Sequence, residues 1–261
     1  MDDISIAIVA YNNYDDIVNA VTSIEKYTDP NIIKKIYIID NSASNEEMSL
    51  SRNELLALKN IYSDLKYLNP GNNLGFGKGH NYVINIIDSK YHAIVNPDIL
   101  LTQDTFSVLI KFMQHNDIGM AIPKIVDADG NIQQVYRREL TVYDMLIRMF
   151  FKVGFKKRKA YHTMQDMDYT KPFHVPFGQG SFLFIKTDLF KDLHGFDERF
   201  FMYVEDADLC KRVNEVTKFM YCPYTQVIHK WEKGSHKNKK LFKYHLDSMK
   251  LYFKKWGWKL R

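Results

Sequence analysis

Apolar residues in the first hundred positions come in short blocks separated by amphipathic stretches. Ile4–Ala10 (ISIAIVA), Lys35–Ile39 (KIYII) and Tyr91–Val95 (YHAIV) are near-continuous apolar runs. Runs of this length, rich in Ile and Val, predict strands buried on both faces. Leu65–Leu68 predicts a shorter one. Between them, Tyr14–Tyr27 places Ile17, Val18, Val21 and Ile24 on one face, the period of an amphipathic helix. Glu46–Asn60 and Asn81–Ile87 predict two more helices. This alternation of strand and helix implies an α/β fold with a mainly parallel, doubly wound sheet flanked by helices. Ligands of such sheets bind beyond the carboxyl ends of the strands, where Tyr11, Asp40 and Asp98 fall.

The second half is less regular. Helices are expected over Asp104–His115, Val142–Phe151, Asp188–Leu193 and Asp206–Val216, and strands over Phe182–Ile185 and Thr225–Ile228. Asp127–Asn131 (DADGN) reads as a turn between two short strands. Lys156–Pro172 is polar and basic and reads as a mobile loop. In Lys239–Trp256, Phe242, Leu246, Met249, Phe253 and Trp256 recur at helical spacing, with lysines on the other face. The expected organisation is one domain over 1–235 and a basic amphipathic helical extension over 236–261.

Charge sharpens this division. The chain carries +5 overall, but Lys230–Arg261 alone carries +9, leaving the rest at −4. A second basic cluster, FFKVGFKKRK, covers Phe150–Lys159. Such patches attract anionic partners. Beside aromatics they suggest peripheral contact with an anionic membrane through 150–159 and 237–261; a helix packed on its own domain or a homodimer contact explains the tail equally well. No nucleic-acid-binding motif accompanies the charge, so no nucleic-acid partner is expected. The N-terminus lacks a basic n-region and no run of about 18 apolar residues occurs, so a cytoplasmic address is expected, at the inner face of the plasma membrane if the basic patches touch lipid. The two cysteines, Cys210 and Cys222, are expected to be reduced.

Four segments carry chemistry. Asn96-Pro97-Asp98 follows a buried strand, where a carboxylate can supply an oxygen ligand to a divalent cation; a proline turn ending a strand explains the tripeptide as well. Gly195–Leu209 (GFDERFFMYVEDADL) crowds carboxylates among large aromatics. Glu205 and Asp206 stand at a helix start, fit either for proton abstraction or for capping free N–H groups. Asp208, inside the first turn, reads as a plain cap or a solvated helix residue. Gly71–Asn81 (GNNLGFGKGHN) is glycine-rich but has neither a dinucleotide nor a Walker spacing. His229, just past a strand, is a metal-ligand candidate that would by itself more often be structural.

Together these pieces resemble glycosyltransferase family 2, of the GT-A fold. IVAYNN, IIDNSA, NPGNNLGFGKGHN, IVNPD, GQGSFLFIK, GFDERFFMYVEDADLCKRV and VIHKWEKGS occur in that family's order, over residues 4 to about 235. Within the family the chain looks most like bacterial rhamnosyltransferases of cell-surface polysaccharide synthesis. The resemblance implies that Ala10, Tyr11 and Asn12 line the nucleotide base pocket, that Asp40 hydrogen-bonds the pyrimidine, and that Asn73, Gly75 and Asn81 shape the donor pocket. It implies that Asp98, with His229, holds Mn²⁺ or Mg²⁺; Asn96 replaces the first aspartate of the family's DxD motif, leaving one charge fewer on the metal. Asp206 matches the carboxylate usually assigned as base, preceded by Glu205, and Gly178–Ser181 would sit under the acceptor.

The implied reaction is an inverting transfer from a nucleotide-sugar donor, dTDP-rhamnose first and UDP-glucose or UDP-galactose as alternatives, to a saccharide acceptor, one linked to a polyprenyl diphosphate if the basic patches rest on membrane. A nucleotidyltransferase would need glycine and basic residues in its N-terminal loop, and Ile4–Tyr14 has none. A non-catalytic polysaccharide-binding module would leave the carboxylate cluster unexplained.

Overall fold

A computed structural model describes residues 2–42, 49–151, 153–230 and 239–260. The expected domain boundary at 235/236, the start of the Glu46–Asn60 helix and the WEKGS end of the last motif lie outside these residues. In chain order the elements are β1 (Asp2–Ala10), α1 (Tyr14–Tyr27), β2 (Lys34–Asp40), α2 (Ser49–Ile61), β3 (Leu65–Leu68), α3 (Phe76–Asn81), β4 (Ser89–Val95), β5 (Ile99–Leu101), α4 (Thr105–Asn116) and β6 (Met120–Val126). They continue with β7 (Tyr136–Arg137), α5 (Val142–Phe150), α6 (Lys156–His162), β8 (Phe173–His174), β9 (Phe177–Gly178), β10 (Phe182–Lys186), α7 (Thr187–Asp192), α8 (Glu205–Val216), β11 (Phe219–His229) and α9 (Lys239–Trp256).

The main sheet has the order β3-β2-β1-β4-β10-β6-β11-β5, with β8 alongside β11. The first four strands are parallel, as the continuous apolar runs imply. β10 then enters antiparallel, pairing Phe182 with Val95 on one side and Phe184 with Ala121 on the other. Its side chains Phe182, Phe184 and Ile185 are fully buried, and Phe106 and Phe190 pack over this region. Each such side chain contributes about 1.5–3 kcal/mol by leaving water. Local signals set the helix ends: Asp104 caps α4 by accepting from Ser107 N, and Thr141 caps α5 by accepting from Asp144 N.

Three expectations are corrected here. The helix expected over Asn81–Ile87 lies earlier, at Phe76–Asn81, because the glycine segment packs into the core, where Gly77 and Gly79 leave no room for a Cβ against Phe196 and Val9. The supposed loop Lys156–Pro172 holds α6 and is pinned by Arg158 to Asp144 and by Arg138 to Asp166. The last strand runs over Phe219–His229 rather than Thr225–Ile228, with a register shift between Cys222 and Gln226. Both cysteines are free and buried.

The tail helix α9 packs on its own domain. Met249, Tyr252 and Phe253 are buried, and Ser248 Oγ donates to the Met202 carbonyl at 2.8 Å. Asp208 accepts from Trp256 Nε1 at 2.8 Å and pairs with Lys255 at 2.7 Å and Arg212 at 2.8 Å. Asp208 is thus no solvated helix residue: it is fully buried and ties α8 to α9.

Candidate active site

The carboxyl ends of β1, β2 and β4 and the start of β10 meet along one edge of the sheet. Asn96 donates its backbone N–H to the Ser181 carbonyl at 2.8 Å, joining the turn after β4 to the turn before β10. Two residues on, Asp98 Oδ2 stands 3.3 Å from His229 Nε2 at the end of β11. Gln133 fixes that ring. Its Nε2 donates to the His229 carbonyl at 2.7 Å, which places Oε1 against Nδ1 at 2.9 Å. A carbonyl only accepts, so Gln133 cannot be reversed, and Nδ1 must carry the proton. The Nε2 edge is therefore turned toward the Asp98 carboxylate. This is how a metal-ligating imidazole is held by its outer partner.

Among the described residues no third His, Cys, Asp or Glu completes a cluster around this pair. One carboxylate and one imidazole suit a Mg²⁺ or Mn²⁺ ion whose remaining ligands are water and substrate phosphate oxygens. The donor set fits the implied cation on those terms.

Glu205 and Asp206 begin α8 directly after a strained turn. Tyr203 and Val204 have φ of 70° and 68°. For a β-branched valine this is an outlier, and such strain concentrates at functional sites. The turn aims Asp206 at Gly180, whose N–H donates to Oδ2 at 3.0 Å. A Cβ on Gly180 would sit 3.3 Å from Asp206 Cβ and 3.1 Å from the Phe76 ring, so glycine allows the close approach. Burial raises the Asp206 pKa, opposed by the Gly180 N–H and the Arg137 charge. Glu205 is raised well above the usual carboxyl range, first by burial and then by the Asp206 charge. Its Oε2 has no hydrogen-bond partner. Glu205 therefore holds the proton of the pair, and Asp206, with N–H donors, is the member that ionises.

Asp206 and Glu205 line a cavity of about 340 Å³ with Asn96, Gly180, Ser181, Arg137, Arg148, Tyr203 and His245. Asn96, two residues before Asp98, thus borders the cavity that Asp206 lines; Asp98 and His229 do not line it. Sequence reasoning missed Gln133, Arg137, Arg148 and His245. None follows a strand or a glycine pattern, and only the fold brings β7, α5 and α9 to this wall.

The other implied donor residues are placed unevenly. Tyr11 is 57% exposed, and Asn12 (φ 58°) donates its N–H to Ser42 Oγ. The Ala10 carbonyl accepts from Asn41 N. Asp40 is fully buried and accepts from Tyr14 OH at 3.0 Å, from Tyr67 OH and from Ser42 N at 2.9 Å. Tyr14 and Tyr67 cover the Asp40 carboxylate, the implied partner of the pyrimidine. Asn73 accepts from Gly75 N, and Gly75 (φ 81°) lies so close to the Phe201 carbonyl that a Cβ would meet it at 2.1 Å. Gly75 therefore docks the glycine segment on the aromatic loop before α8. Asn81 exchanges both amide ends with the Phe196 backbone, at 2.8 Å each, and faces a separate hollow with Asp197 and Arg212. Through these bonds it clamps the 195–198 turn.

This architecture is the GT-A fold, here a parallel sheet extended by an antiparallel strand. The structure of GalNAc-T7 with UDP, GalNAc and Mn²⁺ superimposes with a TM-score of 0.69 at 16% identity, covering 91% of this chain and 45% of that one. Residues 5–193 match the model for Glycosyl transferase family 2, and the chain belongs to that family. Relatives include the low-salt glycan biosynthesis hexosyltransferase Agl10 of Haloferax volcanii, 23% identical over 88% of this chain and 67% of its own length. The rhamnosyltransferase WbbL of Escherichia coli K12 is 27% identical over 74% and 76%. The N-acetylglucosaminyl-diphospho-decaprenol L-rhamnosyltransferase of Mycobacterium tuberculosis is 28% identical over 64% and 59%.

Proposed function

We propose that this protein is a metal-dependent inverting glycosyltransferase that moves rhamnose from dTDP-rhamnose to a saccharide acceptor of cell-surface polysaccharide. The observation that carries the reading is Asp206. It is a carboxylate made more basic by burial, oriented by the Gly180 N–H, and open to the cleft that Asn96 borders. A general base works best when its pKa is drawn toward the working pH.

Asp98 and His229 Nε2 would hold Mn²⁺ or Mg²⁺, with Gln133 orienting the imidazole. A divalent cation there supplies charge neutralisation of the departing nucleoside diphosphate. Tyr11 and Asn12 offer an exposed edge for the base. Asp206 takes the proton of the acceptor hydroxyl as that oxygen attacks the sugar carbon from the face opposite the leaving group, which inverts the carbon. Glu205, protonated and buried, adds no second negative charge beside Asp206.

Two relatives named as rhamnosyltransferases support the donor, and the Mycobacterium tuberculosis relative's name supports an acceptor on a polyprenyl diphosphate. Agl10 keeps a UDP-hexose as the second reading. Among the described residues no helix is long and apolar enough to cross a membrane. Phe151, Val153 and Phe155 are exposed next to exposed Lys156 and Lys157, which supports contact with an anionic membrane face. The deciding experiment incubates the protein and Mn²⁺ with a panel of nucleotide sugars and reads release of dTDP or UDP. Turnover of dTDP-rhamnose is expected; turnover of UDP-glucose or UDP-galactose alone would replace it with the hexosyl reading.

A further inference from the structure

Two guanidinium groups, buried Arg137 and exposed Arg148, open on the cleft without a described carboxylate at ion-pair distance. Arg137 is 6% exposed, yet its one hydrogen bond is a long contact from Nη2 to Gln179 Oε1 at 3.5 Å, and it stacks on the Phe177 ring at 5.2 Å. It forms no ion pair with any described carboxylate. Arg148 enters the same cavity from α5, likewise without an ion pair or hydrogen bond among the described residues. Nearby arginines show what this chain does otherwise: Arg138, Arg158 and Arg212 each hold a carboxylate at 2.6–2.8 Å. Burial, and then the Arg148 charge, push Arg137 down to about 9, so it remains a cation at neutral pH. An unpaired buried cation such as Arg137 is costly, and the exposed Arg148 facing the same cavity adds repulsion. An anion between them would remove both penalties, and the fork of a guanidinium suits phosphate oxygens.

We propose that Arg137 and Arg148 form an anion subsite on the acceptor side of the cleft, which binds a phosphate or diphosphate carried by the acceptor. The inference rests on the transferase reading for the meaning of "acceptor side". The departing diphosphate belongs with Asp98 and His229, whereas the arginines share the wall of Asp206, where the attacking hydroxyl must lie. An anion held there fixes a sugar whose hydroxyl points at the base. Leu140, Met145 and Leu241 complete that wall with apolar surface, so an alkyl chain beyond the phosphates also finds a place.

The test measures binding of methylene diphosphonate by calorimetry in EDTA, so that no metal recruits the probe to Asp98. The wild type should bind it. Arg148→Met, at an exposed position, and Arg137→Met should each weaken it by about 10–100-fold, as loss of a charged hydrogen-bonding partner implies. Arg137→Lys, which keeps the charge if the methionine variant fails to fold, should recover part of the affinity. Asp98→Ala should leave it unchanged. Affinity unaltered in both arginine variants, or lost in Asp98→Ala, would overturn the subsite. Binding of dTDP and UDP with Mn²⁺ is measured alongside. If the wild type binds neither nucleotide, the transferase reading fails separately; if Arg137→Met loses the nucleotide rather than the diphosphonate, the subsite belongs to the donor and the proposal fails. A dodecyl diphosphate arm separates the sources: tighter binding than the diphosphonate assigns a lipid-borne phosphate, and equal binding a phosphate recognised without its chain.

Discussion

Asp40, at the end of β2, and Asp206, in the first turn of α8, are both carboxylates withdrawn from bulk water, but their surroundings differ in kind. Asp40 is enclosed by Tyr14, Tyr67 and the Ser42 N–H, with Arg52 Nε 3.8 Å away. Around Asp206 the groups are left incomplete: Glu205 Oε2 has no partner, and Arg137 and Arg148 feel the Asp206 charge but reach no described carboxylate at ion-pair distance. The first arrangement makes a rigid wall. The second holds charges whose partners must arrive with substrate. Polar networks that are satisfied stabilise, and those left open in a cleft mark where chemistry is arranged.

Removing the base should give the largest effect. Asp206→Asn is expected to lower kcat by about 10²–10⁴-fold while nucleotide binding stays unchanged. Near-full turnover by this variant would place the base elsewhere and erase the contrast with Asp40. Next comes the tie between α8 and α9. Asp208→Ala breaks a buried carboxylate from Lys255, Arg212 and Trp256 and should cost about 3–5 kcal/mol in urea denaturation. A loss well under 1 kcal/mol would mean that α9 does not depend on this contact.

Gln133→Leu frees the His229 ring and should weaken Mn²⁺ activation by about 10–100-fold, read as the Mn²⁺ concentration for half-maximal transfer. An unchanged midpoint would detach His229 from the metal. On the donor side, Tyr67→Phe removes one hydrogen bond to Asp40 and should cost about 1 kcal/mol of stability, with kcat unchanged. A kcat effect larger than the stability effect would show that Asp40 is part of the chemistry after all.

A separate effect is seen through pH. Burial holds His80 and His92 down to about 3, well below the 6.5 of a free imidazole. The unfolded chain takes up protons at these positions below pH 6.5 and the folded chain does not. Their contribution is therefore complete above pH 6.5 and declines as pH falls toward 3, by about 1.4 kcal/mol per pH unit for each histidine. His80 sits between Phe76 and Phe196 with no hydrogen bond. His80→Leu should flatten the slope of stability against pH between 6.5 and 4.5; an identical slope would show that His80 already titrates in the folded state.

The parallel half was legible from residue order, because a strand buried on both faces must be apolar throughout and the helices between must carry an apolar stripe. That pattern gave β1, α1, β2, β3 and β4 almost to the residue, and the motifs placed Asp98 on a strand-end turn and Glu205 and Asp206 at a helix start. The acceptor half was less legible. Its strands β7, β8 and β9 are two residues long, too short to show a period, and β10 and β11 take their neighbours from distant segments.

Composition and spacing could also not say which polar groups would end up paired. Asp208 read as a cap or a solvated residue and is buried; Asp40 is covered by two tyrosines; Arg137 and Arg148 carried no signal and face the cleft without a close ion pair. Local sequence determined where strands and helices form, since propensity and periodicity act over a few residues. Only the tertiary structure decided which charges were satisfied, because a buried ionic group finds its partner through space, from elements far apart along the chain.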